Sequence, residues 1–271
     1  MQARKVVKKT GEPTETKILI CDPVPRETPP PYYEWKLSTL EKVARPGTVL
    51  EYTSLKQGYF SMPTTPYRHV VNAAGVAEQC YIAEKKGYDA FVIGGVCDFL
   101  AECRSLVEIP VVSPIESAEH LASMLGYRFS IIASSPPWLG TLEDQLLRFG
   151  LKDKLASIRY PSRLGEEDPW EWFREEKQQE LVEIITSEMR KAVQEDGAEA
   201  LLVGFSVAGT VLTMHGVYEV EGAPVIDIMV AGIKVAEILV DLHRAFGTKV
   251  CKATIYHNPP GWEEERPIAV D

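Results

Sequence analysis

The chain is 271 residues long, 45% apolar and 25% charged, with a net charge of −10. That length supplies ample core for one large domain or two modest ones, and the composition is that of a globular protein. Such an acidic balance excludes a nucleic-acid partner, whose phosphates need a basic surface, and no apolar run reaches the roughly 18 residues of a membrane span.

The N-terminus Met1-Gln2-Ala3-Arg4-Lys5 lacks an apolar signal core, so a cytoplasmic protein with no membrane partner is expected. The cysteines, Cys21, Cys80, Cys97, Cys103 and Cys251, are scattered and form no CxxC pair. They suit reduced thiols and predict no metal site. Cys21, Cys80 and Cys103 read as small core residues.

In chain order, residues 1–16 read as a loose arm and Lys17–Cys21 as a first strand ending at Asp22-Pro23. The proline-rich residues 23–31 predict an extended loop near the site mouth. A helix is expected over Trp35–Val43, a strand over Thr48–Tyr52, a loop over Pro63–Tyr67 and a helix over His69–Lys86. Ala90-Phe91-Val92-Ile93-Gly94-Gly95-Val96-Cys97-Asp98-Phe99 is the central stretch: a buried strand running into two glycines. The glycines permit a sharp turn and close approach to a ligand, and a strand's carboxyl end is where α/β sheets bind ligands. A helix over Leu100–Leu106, a strand over Ile109–Val112, a helix over Glu116–Leu125 and a strand over Arg128–Ala133 follow. Thr141–Phe149 reads as helix closed by Gly150, 160–171 as a charged loop and Trp172–Glu195 as a long amphipathic helix. Ala200–Val203 then runs into Gly204-Phe205-Ser206, repeating the central stretch. Pro224–Asp227 reads as a strand, Met229–Phe246 as the last helix, and the tail is proline-rich and acidic.

The order repeats at an offset of about 110 residues. Lys17–Cys21 with Asp22 matches Phe129–Ala133 with Ser134, the strand to Gly94 matches the strand to Gly204, and Ile109–Pro114 matches Ala223–Ile228. This predicts an α/β fold of two similar halves with parallel sheets, related by a pseudo-twofold with the active-site cleft between them. The expected division is residues 17–125 with 223–271 as one half and 126–222 as the other. Such halves often pair further into homo-oligomers; the sequence leaves the assembly open.

Ile18–Pro23, Lys86–Ile93, Ser113–Ala122, Arg128–Ile132, Ala223–Asp227 and Lys234–Glu237 together resemble the aspartate/glutamate/hydantoin racemase superfamily, most closely its hydantoin racemase branch. The resemblance covers about Lys17 to Leu242. It implies cofactor-independent racemisation or epimerisation of a small hydantoin-like or amino-acid-like molecule, with one cysteine at each strand end and the substrate between them. A decarboxylase branch keeps one cysteine and returns a proton to one face, so a cofactor-free decarboxylase or a ligand-binding homologue is the alternative. Here the first cysteine's position falls on Gly94 and the second on Phe205.

Cys97 is the expected acid/base, against a buried thiol in the turn; Ser206 is expected in the catalytic site, donating a hydrogen bond to the substrate, against a structural cap. Backbone N–H groups of Gly94, Gly95, Val96 and Cys97 and of Gly204, Phe205, Ser206 and Val207 are expected to line an anion or enolate pocket. Ser134 and Ser135 stand where the resemblance implies carboxylate or ring-carbonyl binding, or cap a helix. Asp22 and Tyr67 are expected at the substrate, and His215 is either a replacement acid/base or a surface histidine. Pro29–Tyr33 and Trp170–Trp172 line an apolar pocket or pack under loops, and Glu166–Asp168 reads as solvated surface.

Overall fold

Two small parallel sheets, built from the two matched runs of strands, make up the frame. A computed structural model describes residues 15–25, 30–59, 65–165, 171–172, 174–258, 260–265 and 268. The expected arm over residues 1–14, residues 26–29 and 60–64, Glu166–Asp168 and Trp170 lie outside the described residues.

The first sheet contains β1 (Thr16–Pro25), β2 (Thr48–Leu55), β3 (Ala90–Ile93) and β4 (Val111–Val112), ordered β2-β1-β3-β4, all parallel. The second contains β5 (Phe129–Ile132), β6 (Leu155–Arg159), β7 (Ala200–Val203), β8 (Glu219–Val220) and β9 (Ala223–Asp227), ordered β6-β5-β7-β9-β8. Only β8 is antiparallel, to β9. The two orders superimpose when β1 is matched to β5, β2 to β6, β3 to β7 and β4 to β9. Every residue of β3, β5 and β7 is buried, the unbroken apolar run that a parallel strand covered on both faces requires.

The helices are α1 (Pro30–Val43), α2 (Pro66–Lys85), α3 (Leu100–Leu106), α4 (Pro114–Leu125), α5 (Trp138–Phe149), α6 (Gln178–Asp196), α7 (Ser206–Met214), α8 (Ile228–Phe246) and a short α9 (Trp262–Glu265). Helices α4 and α8 start alike: Ser113 Oγ accepts from the Glu116 N–H at 3.5 Å, and Asp227 Oδ1 accepts from the Met229 N–H at 2.8 Å. These two helices pack on each other and each reaches the sheet of the other half, α4 onto β7 and α8 onto β3.

Several boundaries differ from expectation. Residues 23–25 continue β1 through an irregularity after Asp22, and α1 begins at Pro30, because proline is tolerated in a first helical turn where no N–H is needed. For the same reason α2 begins at Pro66, so Tyr67 is helical rather than in a loop. The strand expected from Ile109 is only Val111–Val112, and α6 starts at Gln178, directly after a 3-10 turn over Glu175–Lys177. The strands β6 and β8 escape the sequence reading; β6 is half-buried throughout and lies at a sheet edge, so it lacks a strong apolar run. The expected division puts residues 223–227 in the first half, whereas β9 hydrogen-bonds to β7 and so belongs to the second sheet.

Candidate active site

The pseudo-twofold is sharpest at the ends of the two central strands. The Gly94 N–H donates to the Cys21 carbonyl at 2.7 Å, and the Gly204 N–H donates to the Ile132 carbonyl at 2.8 Å. A Cβ at Gly94 would stand 2.4 Å from Asp22 Oδ1 and 3.0 Å from the Cys21 oxygen; one at Gly204 would stand 2.8 Å from Ile132 Cγ2 and 3.1 Å from the Ile132 oxygen. Glycine at both places is therefore a packing requirement. These two N–H groups are consumed by the sheets, which corrects their expected place in an anion pocket. Beyond them, Gly95 has φ +121°, and a Cβ there would meet nothing within 4 Å.

The first loop carries Cys97. Its side chain is 1% exposed, and burial pushes the thiol well up, helped by the carboxylates of Asp22 and Asp98. Cys97 is consequently held as a thiol, able to donate a proton. The loop is gripped from the second half by α5: Gln145 Nε2 donates to the Val96 carbonyl at 2.9 Å, and Arg148 pairs with buried Asp98 at 2.7 Å. Val96 thus fixes the loop through its backbone, with its side chain in the core. Asp98 Oδ1 also accepts from the Leu100 N–H at 3.2 Å, at the start of α3. His69 stacks on Phe99, ring centres 4.5 Å apart, and burial pushes its imidazole down.

The second loop is held reciprocally by α1 of the first half. Phe205, at the expected cysteine position, turns into the apolar core of the second half. It precedes α7 without a side-chain cap, so Ser206 is not the cap; its Oγ instead accepts a hydrogen bond from Tyr32 Oη at 2.6 Å. The N–H groups of Ser206 and Val207 fall in the first turn of α7, where no intrahelical carbonyl is available to them.

Asp22 lies against Gly94 at the start of the first loop. Its Oδ1 accepts from Lys36 Nζ at 3.1 Å and from Tyr52 Oη at 2.8 Å, and Lys36 also donates to Tyr52 Oη. Lys36 is 1% exposed and lies over the rings of Tyr32 and Tyr52, 4.8 and 4.7 Å from their centres. Burial alone would push its ammonium down; the charges of Asp22 and Tyr32 and their hydrogen bonds overcome this and hold it above the usual lysine value. Asp22, expected at the substrate, is thus paired with Lys36, and its Oδ1 is occupied.

Ser134 and Ser135 follow β5 at the same end of its sheet; the residue capping α5 is Pro137, so neither serine is that helix's cap. Tyr67 lies 69% exposed on the first turn of α2, its ring against Tyr59. His215 caps the far end of α7, roughly 13 Å along the helix from Ser206, and contacts Gln178 Oε1 at 3.1 Å. The structure does not bring His215 to the strand ends. Lys36, Tyr52, Gln145 and Glu119 were absent from the candidates; Glu119 is fully buried, with neither carboxylate oxygen partnered among the described residues. One signal was present: Tyr32 and Lys36, four apart, share a helix face.

The family model for Asp/Glu/hydantoin racemase matches residues 32–236. The hydantoin racemase of Pseudomonas sp. (strain NS671) is 34% identical over 224 residues, 81% of this chain and 83% of that protein. That of Paenarthrobacter aurescens is 35% identical over 172 residues, 63% of this chain and 68% of that protein. The solved allantoin racemase from Pseudomonas fluorescens superposes with a TM-score of 0.77 at 25% identity, covering 90% of this chain and 97% of that one. Sequence and fold agree: the chain belongs to the Asp/Glu/hydantoin racemase family, and it is an isomerase.

Proposed function

We propose that the protein racemises a small hydantoin-like or amino-acid-like molecule at the carbon α to a carbonyl, by removing and returning a proton without an organic cofactor. What supports this reading is the family match together with two pseudo-equivalent strand ends, each followed by a proton-bearing group: the Cys97 thiol after one and the Ser206–Tyr32 hydroxyl pair after the other. Cys97 acts as acid/base on one face. The N–H groups of Ser206 and Val207 favour the oxygen that becomes negative in the enolate, as a helix N-terminus does.

The buried charges favour a neutral ring among these substrates. Lys36 is matched by Asp22, so the centre offers no spare ammonium to a free carboxylate. Hydantoins with a single stereocentre are therefore expected to react faster than the matching amino acids.

Incubating the protein in D₂O with optically pure hydantoins, amino acids and substituted malonates tests this by NMR and polarimetry. Deuterium entering the α position with loss of rotation supports the racemase. Carbon dioxide release from a malonate with one-sided deuteration would replace it by a decarboxylase, and absence of exchange throughout would end the reading.

A further inference from the structure

We propose that Tyr32 is the second acid/base of the reaction, its hydroxyl positioned by Ser206 and Lys36 on the substrate face opposite Cys97. The inference rests on the racemase reading, which demands a proton carrier on each face, and it assigns the carrier where Phe205 leaves none.

Three observations converge on Tyr32. Its Oη is 2.6 Å from Ser206 Oγ, directly beside the second strand end and contributed from the other half of the molecule. Lys36, one turn further along α1, places its ammonium over the Tyr32 ring. A phenolate there would find a hydroxyl donor and a cation within reach, whereas Ser206 alone has no base beside it and an alcohol proton too tightly held to exchange with a carbon. Burial pushes the phenol up, Lys36 pulls it down, Asp22 pushes it up and Ser206 pulls it down. Tyr32 and Cys97 both feel the Asp22 carboxylate. The unfilled direction at Gly95 leaves room for a ligand beside the first loop.

In one direction the Tyr32 phenolate accepts the α proton, and the C–H electron pair moves into the adjacent carbonyl to form the enolate. Cys97 then gives its Sγ proton to the opposite face of that carbon. The protein is left with a phenol and a thiolate, the form that accepts the opposite enantiomer and runs the same steps in reverse. Protons and charges balance over each half-reaction.

Tyr32→Phe, Cys97→Ala and the wild type separate the possibilities when each is given the two enantiomers of one hydantoin in D₂O. Both variants should lose racemisation by at least 100-fold. Each should still exchange the α proton of a single enantiomer with retention, and the enantiomer should be opposite for the two variants. A structural role for Tyr32 would instead lower exchange of both enantiomers alike, and that result, or wild-type racemisation by Tyr32→Phe, overturns the assignment. Wild-type protein that exchanges neither enantiomer of any hydantoin overturns the racemase reading itself, and the role of Tyr32 with it. Circular dichroism spectra matching the wild type show that a variant is folded.

Discussion

Gly94 stands so close to Asp22 that a Cβ on the glycine would lie 2.4 Å from the aspartate Oδ1. Because that oxygen is anchored by Lys36 and Tyr52, it has nowhere to retreat. A cysteine is excluded at Gly94 as long as the Asp22 cluster is intact. Gly94→Ala and Gly94→Cys are expected to lose about 1–3 kcal/mol of stability in urea unfolding. The loss should shrink when Asp22→Ala is added. Additive effects in that double-mutant cycle would show that Asp22 is not the obstacle.

The Lys36–Asp22 pair is buried on both sides. Removing one partner strands the other charge, so Lys36→Met is expected to cost about 3–5 kcal/mol, while Lys36→Met with Asp22→Leu should recover much of it. Urea midpoints measure both, and a double variant no better than the single would contradict the pairing.

Thiol reactivity should follow burial. Cys21, Cys80, Cys97 and Cys103 are buried and Cys251 is exposed; burial pushes Cys21, Cys80 and Cys97 up. Alkylation by iodoacetamide at neutral pH should label Cys251 first and Cys97 slowly, read by peptide mass spectrometry. Rapid labelling of Cys97 would mean a thiolate, and the acid role assigned to it would fail.

Turnover should rise with pH on the alkaline side of neutral. Proton exchange needs one of Cys97 and Tyr32 deprotonated and the other protonated, and burial pushes both up. The resting pair is therefore doubly protonated at neutral pH, and raising the pH populates the active form. A kcat/KM that falls steadily from neutral upward would rule this pair out.

Glu119 gives a stability signature independent of catalysis. Burial pushes its carboxyl up to about 9, with the charges of Asp98 and Glu116 adding to it, against about 4.3 in the unfolded chain. A raised folded value means that its contribution is intact below the unfolded value and is lost as the pH climbs through 9. Glu119→Gln, which cannot titrate, should match the wild type near pH 4 and exceed it by about 1–3 kcal/mol at pH 8. Denaturation curves that keep a constant separation across that range would refute the assignment.

Much of the frame was legible before any coordinates. The apolar runs at Ala90–Ile93 and Ala200–Val203, each stopped by glycine, marked the two central strands, because a strand covered on both faces needs an unbroken apolar run. The repeat offset gave the two halves, and Cys97 and Ser206 became candidates because they follow those strands directly. Helix starts at Pro30 and Pro66 were missed, since proline in a first turn resembles proline in a loop.

The sequence by itself determined two α/β halves, the two glycine-ended strands and the chemistry carried on their loops, because these depend on local periodicity and on neighbours in the chain. Only the tertiary structure decided which side chains complete the site. Tyr32 reaches Ser206 across 174 positions of sequence, and Lys36 neutralises Asp22 from a helix where a lysine ordinarily faces water. The first contact arises from the packing of one half against the other and the second from α1 meeting the end of β1, and no local pattern encodes either.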